Sequence, residues 1–264
     1  MVDVDLTEKE REAFALFYTK IKETTFYEKK TTHTQVMKSE LTELKNCINS
    51  ITSKNKNDIL VRLRKLITVN KKTINNDSLI MNTLFNNFTV NSFYSKEYAE
   101  IYLNLCKSEP DLFTILSDAI KNINEKYYAR IIVADPDTSY SLFCENNKKN
   151  ELIRSFTHFV VALFGFTSLH TELKNIINED YLIGVVLSLI EKIKNTENYL
   201  EAYEYLENIN IFFKNIPEIH NKQHTDVQHI VHEINEMKNK KGTYVYFKNK
   251  CIFKCMDILE IINI

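Results

Sequence analysis

Apolar residues recur along this chain at the spacing of a helix face. From about residue 36 onward, successive segments carry apolar side chains at positions i, i+3, i+4 and i+7, which is typical of amphipathic α-helices. The pattern predicts helices over 36–51, 55–69, 76–88, 94–107, 110–128, 137–146, 150–164, 167–193 (broken near Asp180), 197–215, 224–239 and 246–262. Strand-like alternation is almost absent, and only YARIIVAD and GTYVYF are ambiguous.

The first 35 residues form a separate unit in this reading. LTEKEREAFALFYTKIK (6–22) predicts an amphipathic helix with Thr7 and Glu10 as its capping box, and a polar, threonine-rich linker follows it. We therefore divide the chain into an N-terminal helix and linker, 1–35, and a helical domain, 36–264.

Stacked helix pairs are the arrangement that this pattern favours. Three glycines and three prolines are too few for the turns of a β-sandwich or a dinucleotide-binding fold. Short polar loops between helices predict an all-α fold in which antiparallel pairs stack into an α-solenoid. An irregular helical bundle is the alternative.

Composition and charge narrow the function classes. The formal net charge is −1, with 34 basic and 35 acidic residues, so any nucleic-acid surface would need local segregation of charge. No segment has the length and apolarity of a membrane span, and the acidic start is unlike a signal peptide. Five cysteines without a disulfide framework favour a reducing compartment, so we expect a cytoplasmic protein.

No catalytic signature appears in the sequence. Walker, G-x-G-x-x-G, G-x-S-x-G and H-E-x-x-H motifs are all missing, so we expect neither an enzyme nor a cofactor. A zinc site across two helices is conceivable, and its candidate ligands are His220, His224, His229, His232, Cys251 and Cys255. The other reading, a solvated histidine-rich helix edge with structural cysteines, is the one we favour.

The last helix has one residue that does not fit its core face. In KNKCIFKCMDILEI (248–261) the stripe formed by Cys251, Cys255, Ile258 and Ile262 predicts a buried face. Phe253 lies about 200° around the helix from Cys251, among charged residues. It is therefore either a packing residue against another element or an exposed contact residue.

Four stretches, in order along the chain, match motifs of one known family. KKGTYVYFKNKCIFKCMDILEI is similar to the family's closing helix, with Lys250 in an arginine position and with Phe253, Asp257, Leu259, Glu260 and Ile261 on its Phe, Asp, Leu, Asp and Leu positions. INSITSKNKNDILVRLRKLI, NSFYSKEYAEIYLNLC and NKKNELIRSFTHFVVALFGFTSLHTELKNII resemble its first helix pair, second repeat and third-to-fourth repeat junction. Over about 36–262 the chain thus resembles the middle domain of translation initiation factor 4G.

The match has gaps. The Ser-Ser pair of the closing motif and the proline of the first helix pair are missing, and an extra stretch follows Lys241. The cap-binding-protein motif of factor 4G is also not found, because neither Tyr18 nor Tyr27 has a leucine five positions later. The strong Asn, Lys and Ile bias would suit a viral or protist version, in a host cytoplasm if viral.

The resemblance implies a scaffold. Family members fold as about five HEAT-type helix pairs and hold the two lobes of a DEAD-box RNA helicase, initiation factor 4A, in an active-ready arrangement. The first-repeat contact maps onto Ile48, Ile51, Thr52 and Ile59, and the last-repeat contact onto Phe253 and Asp257. Burial is the alternative explanation for Ile48 and Ile51, which continue the apolar stripe of the preceding helix.

The resemblance implies RNA and other initiation factors as further partners. We also expect the protein to be a monomer. The basic residues that would line an RNA path are Arg62, Arg64, Lys65, Lys71, Lys72, Lys148, Lys149, Lys238, Lys240 and Lys241. A solvated helix face is the other explanation for each group. Related scaffolds in splicing, mRNA decay or ribosome assembly, or a generic interaction module, remain alternative functions.

Overall fold

The computed structural model describes residues 40–220 and 223–263, and within these ranges it contains helices and no strand. The predicted helix 6–22 and the residues Thr7, Glu10, Tyr18 and Tyr27 lie outside the described ranges. The helices are α1 (40–49), α2 (Lys56–Ile74), α3 (Asp77–Phe88), α4 (Ser95–Cys106), α5 (Pro110–Lys121), α6 (Ile123–Lys126), α7 (Tyr140–Phe164), α8 (Thr171–Lys174), α9 (Glu179–Lys194), α10 (Tyr199–Asn215), α11 (Thr225–Lys238) and α12 (Asn249–Asn263). The all-α prediction is thus confirmed.

The structure corrects several predicted boundaries. The segments 137–146 and 150–164 form one helix, α7, because the polar stretch between them contains no glycine or proline to end it. Helix α2 runs five residues further than predicted and ends at Asn75, whose φ of 49° gives the left-handed conformation of a helix C-terminus. Both ambiguous stretches contain short 3₁₀ segments, Tyr128–Arg130 and Gly242–Tyr246.

Asparagine side chains begin several of these helices. The carboxamide oxygen of Asn178 accepts a hydrogen bond from the backbone N–H of Tyr181 (2.8 Å), and this cap starts α9 after the break predicted near Asp180. Asn76 and Asn198 cap α3 and α10 in the same way. Such caps satisfy backbone N–H groups that have no partner within the helix.

The helices pack mainly on near neighbours in the chain. One series runs from α2 to α4, α7, α10 and α12, each packed on the next, while α3 packs on α5 and α9 on α11. Cross-contacts join α2 to α3, α4 to α5, α9 to α10 and α11 to α12. A single cluster of buried apolar residues extends from Leu44 in α1 to Ile262 in α12.

Buried polar groups join neighbouring helices of the series. The Tyr98 hydroxyl of α4 donates to the carbonyl oxygen of Ile48 in α1 (3.2 Å). Between α7 and α10, the Thr157 hydroxyl donates to Oδ1 of Asn208 (2.7 Å) and lies 3.0 Å from the Tyr128 hydroxyl. Since buried polar groups are costly when unpaired, these bonds specify how the helices meet.

Candidate interaction surface on the last helix

The core face of α12 is the one that the sequence predicts. Cys251, Cys255 and Ile258 are fully buried, and Ile262 is nearly so. The thiol of Cys251 donates to the carbonyl oxygen of Tyr199 in α10 (3.2 Å). Burial raises the pKa of Cys251 to about 11 and that of Cys255 to about 12, so both thiols are protonated near neutral pH. The cysteines are packing residues.

Phe253 points to solvent from the opposite side of α12. It is 61% exposed, and Met256, one turn along, is 50% exposed. Asn249, Asp257 and Glu260 are also exposed. We call these five residues the Phe253 face. A large exposed aromatic ring beside a thioether and two carboxylates is typical of a protein-binding surface.

Contacts with α10 hold this face in place. The Lys250 ammonium lies 3.5 Å from the centroid of the Tyr203 ring, and Lys248 lies 3.9 Å from that of Tyr199. Lys254 Nζ lies 3.2 Å from Glu207 Oε1 and 3.5 Å from Asp257 Oδ2. Sequence reasoning did not find these cation–π and ionic contacts, because they depend on how α10 and α12 align.

The residues assigned to the first-repeat contact are mostly in the core. Ile48 and Ile51 are fully buried and Ile59 is 7% exposed. This corrects the expectation that their side chains are offered to a partner, because a buried side chain has no surface to contribute. Thr52 is half-buried, and its N–H donates to Asn55 Oδ1 (2.7 Å).

An exposed pair of valines on α2 lies close in sequence to these buried residues. Val61 is 53% and Val69 is 52% exposed. They are eight residues apart and therefore share a helix face, with the exposed Lys65 between them. This surface belongs to the opposite end of the α2–α12 series from the Phe253 face.

The basic residues proposed for RNA fall into three groups, on α2, in the first half of α7 and at the end of α11. Several are bound to neighbours: Arg62 to Glu43 (3.2 Å), Arg64 to the Asn104 carbonyl oxygen (3.3 Å), Lys71 to Glu109 (2.6 Å), Lys149 to Glu145 (2.6 Å), Lys238 to Asn235 (3.1 Å) and Lys241 to Glu236 (3.1 Å). Within the described ranges, the remaining residues are exposed and without an ion pair: Lys65, Lys72, Lys148 and Lys240. This pattern matches solvated helix faces with a few free cations.

The predicted zinc ligands are not brought together in the described part of the chain. His220 Nε2 lies 2.6 Å from the Phe213 carbonyl oxygen, and His224 Nδ1 accepts from the N–H of Asp226 (3.3 Å) at the start of α11. Among the residues that the structure describes, no three His, Cys, Asp or Glu side chains are grouped so that they could hold a metal ion.

Within the described ranges, every helix is too short or too polar to cross a bilayer. No model of a known protein family matches the chain, and no curated protein matches it. The resemblance to initiation factor 4G therefore rests on the four sequence stretches alone, of which the closing one contains Phe253 and Asp257.

Proposed function

We propose that this chain is a non-enzymatic, cytoplasmic scaffold of translation initiation that binds and activates a DEAD-box RNA helicase of the initiation factor 4A type. The observation that carries this proposal is Phe253. It occupies the phenylalanine position of the closing motif, and it is 61% exposed on a helix whose other side is fully buried.

The order of helix contacts supports an α-solenoid of HEAT-type pairs. In such a fold, helices of successive pairs stack in two rows, and each pair touches mainly the next one. The series α2, α4, α7, α10 and α12, with α3 on α5 and α9 on α11 beside it, is what two stacked rows produce. It suits the expectation of about five pairs.

A scaffold of this kind would act through differential binding. A helicase whose two lobes open and close is activated by a partner that binds the active-ready arrangement more tightly than the open one. The Phe253 face would bind one lobe through the Phe253 ring and the Asp257 carboxylate. A second, weaker contact at the other end would add avidity, because both contacts belong to one connected structure.

We place the second contact on the exposed face of α2 that contains Val61, Lys65 and Val69. Ile48 and Ile51 precede this helix as core residues, and Ile59 is a core residue of α2 itself. Thr52, at the start of the same region, is the one member of the predicted first-repeat set with substantial exposure. Lys65 and Lys72 on α2, which have no ion pair among the described residues, would also be available to RNA phosphates.

Helicase binding tests the proposal directly. Purified full-length chain is mixed with a 4A-type helicase, and both complex formation and RNA-dependent ATP hydrolysis are measured. Phe253→Ala should weaken binding on the order of tenfold or more, as expected for an aromatic anchor. Phe93→Ala is the matched control, since Phe93 is also exposed but lies in the α3–α4 loop. Failure of the wild-type chain to bind any such helicase would overturn the proposal.

Variants that test the proposed contact on α2 must change an exposed side chain and leave the core intact. Ile48→Asp would place a carboxylate in the core and unfold the region, so it says nothing about binding. Val61→Asp changes an exposed side chain and should weaken binding while the melting temperature stays unchanged. If Val61→Asp binds like wild type, the α2 contact is wrong, whereas the Phe253 contact is unaffected.

The alternative is a helical-repeat scaffold of the same superfamily in splicing, mRNA decay or ribosome assembly, or a generic interaction module. Three of the four residues predicted for the first-repeat contact are buried. This burial favours the alternative function, because those residues no longer match a helicase-binding surface. Binding of a DEAD-box helicase without association with ribosomal initiation complexes would select the superfamily scaffold. Folded chain that binds no helicase would select the generic module.

A further inference from the structure

A small polar cleft lies beside the start of α7, apart from the Phe253 face. Its volume is about 110 Å³, and it is bounded by the irregular segment 132–134, by α7, by the start of α10 and by Lys250 of α12. Phe143 and Leu200 give it apolar walls, and Asn146 and Asn150 add carboxamides. The cleft thus combines polar and apolar recognition groups.

Asn150 of α7 binds the main chain of the segment that precedes this helix. Its side chain is buried, and both the oxygen and the nitrogen of its carboxamide are hydrogen-bonded to the main chain of Ile132. The N–H of Ile132 donates to Asn150 Oδ1 (3.3 Å), and Asn150 Nδ2 donates to the carbonyl oxygen of Ile132 (2.8 Å). A carboxamide can bind one residue in this way because it presents a donor and an acceptor side by side, toward the N–H and the C=O of that residue.

Asn146 is a second buried asparagine on α7, but its carboxamide has no hydrogen-bond partner among the described residues. It lies four residues before Asn150 on the same helix face, and it is only 6% exposed. It lines the cleft. Its side chain makes no hydrogen bond to any other residue in 40–220 or 223–263. The polar atoms of Asn146 are not among the fully buried atoms that lack a partner, so its carboxamide is open to a group that enters the cleft.

The charges around the cleft indicate which side chain would accompany a bound peptide. The Glu204 carboxylate, which lines the cleft, forms an ion pair with Arg154. Lys250 is exposed and stacks on Tyr203, and its charge opposes the rise in the pKa of Glu204 that burial causes. The cleft therefore offers a cation beside two apolar walls.

We infer that this cleft binds an extended peptide of a partner protein that carries an acidic and an apolar residue. Asn146 binds the peptide main chain as Asn150 binds Ile132, the apolar side chain packs between Phe143 and Leu200, and the acidic side chain pairs with Lys250. A cleft of about 110 Å³ is too small for a folded element. This inference does not depend on helicase binding.

Synthetic peptides test the inference on the purified full-length chain without helicase. The probe is a fluorescein-labelled hexapeptide of alternating Asp and Leu, and anisotropy measures its binding. Asn146→Leu should weaken binding at least tenfold. The control Asn82→Ala, which alters an exposed carboxamide on α3, should bind like wild type. A version of the probe with an N-methylated backbone should also lose affinity.

Two further measurements separate the contribution of Asn146 to peptide binding from that of Lys250. Asn146→Leu should melt close to the wild-type temperature, because the Asn146 carboxamide faces the cleft and is hydrogen-bonded to no other described residue. Lost binding then reflects the site and not unfolding. Lys250→Gln should reduce affinity for the Asp-Leu peptide but not for an Asn-Leu version. Equal binding by Asn146→Leu and wild type, no binding of any probe, or displacement of the peptide by a single-stranded RNA oligonucleotide would overturn the inference.

Discussion

The guanidinium group of Arg154 in α7 binds the carboxylate of Glu204 in α10, and the side chains are only 16% and 10% exposed. Arg154 also binds Glu151 on its own helix (2.9 Å). This ion pair lies where α7 packs on α10, at the middle of the series of helices that runs from α2 to α12. It ties together the two halves of that series.

Removal of the arginine should be costly. Arg154→Met leaves the Glu204 carboxylate largely buried without its cation, so we expect the free energy of unfolding to fall by up to about 3 kcal/mol. Urea denaturation measures the change. The control Lys149→Met removes a well-exposed ion pair on the same helix and should cost less than about 0.5 kcal/mol. The double variant Arg154→Met/Glu204→Leu should be more stable than Arg154→Met, because it also removes the unpaired carboxylate. Equal stability of the two would contradict the claim that the buried carboxylate causes the loss.

The hydroxyl of Thr157 should be needed between α7 and α10. Thr157→Val leaves the Tyr128 hydroxyl and Asn208 Oδ1 without their shared partner, so we expect a loss of about 1–3 kcal/mol in the free energy of unfolding. Thr68→Val is a suitable comparison, because the Thr68 hydroxyl is exposed and bonds only to a carbonyl of its own helix. Equal stability of the two variants would contradict the role of the buried network.

Glu233 should make stability depend on acid pH. Burial alone would raise its pKa, but hydrogen bonds from Tyr244 and Lys194, together with the charges of Lys194 and His229, hold the pKa below its ordinary value of 4.5. A carboxyl group whose pKa is lowered by folding stabilises the fold above its unfolded pKa. That contribution is lost as the pH falls from about 4.5 through the folded value.

Glu233→Gln should therefore lower stability at pH 7 and flatten the loss of stability below pH 4.5. Thermal melts from pH 3 to pH 7 compare the two proteins. Glu260→Gln, at an exposed position on α12, is the control for replacing a carboxylate by a carboxamide. The assignment is wrong if Glu233→Gln and wild type lose stability in parallel as the pH falls.

Cysteine labelling should separate one thiol from the other four. Cys47, Cys251 and Cys255 are buried, and burial raises the pKa of Cys106 to about 12 even though it is half-buried. Low thiolate content and poor access both slow reaction. We expect a disulfide reagent to label Cys144 first in the native protein and all five in urea. Rapid labelling of Cys144→Ser would show that another thiol is open.

Two phenylalanines near the end of the chain should respond differently to truncation. Phe253→Ala removes an exposed ring and should change the free energy of unfolding by less than about 0.5 kcal/mol. Phe247→Ala removes a buried ring, packed against Tyr244 and Tyr246, and should cost about 3–5 kcal/mol. Denaturation of the two variants side by side checks the exposed position of Phe253, and a large loss in Phe253→Ala would contradict it.

Helix periodicity was sufficient to find most of this fold. The stripe of Cys251, Cys255, Ile258 and Ile262 could be predicted because burial on one face imposes a spacing that is visible in the sequence. The exposure of Phe253 followed from the same geometry. The break within α7 was wrongly predicted, because the polar stretch Asn147, Lys148 and Lys149 resembles a loop in the sequence although it continues the helix.

The candidate sites were harder to predict for a physical reason. An apolar residue on a continuing stripe, such as Ile48, has the same signature whether it packs in the core or contacts a partner, and only the packed structure decides. The contacts of Lys250 with Tyr203 and of Arg154 with Glu204 join residues about 50 positions apart. Periodicity within one helix contains no information on such pairs.

The near-neighbour packing of the helices also bears on how the chain folds during synthesis. Contacts between segments close in sequence need only short loops to form, so they form quickly. α4 can pack on α2, and α5 on α3, while α10 and α12 are still being translated. The Phe253 face, which relies on α10 for its support, is then the last described surface to become ordered. A nascent chain would accordingly present it to a partner only after the earlier helices have folded.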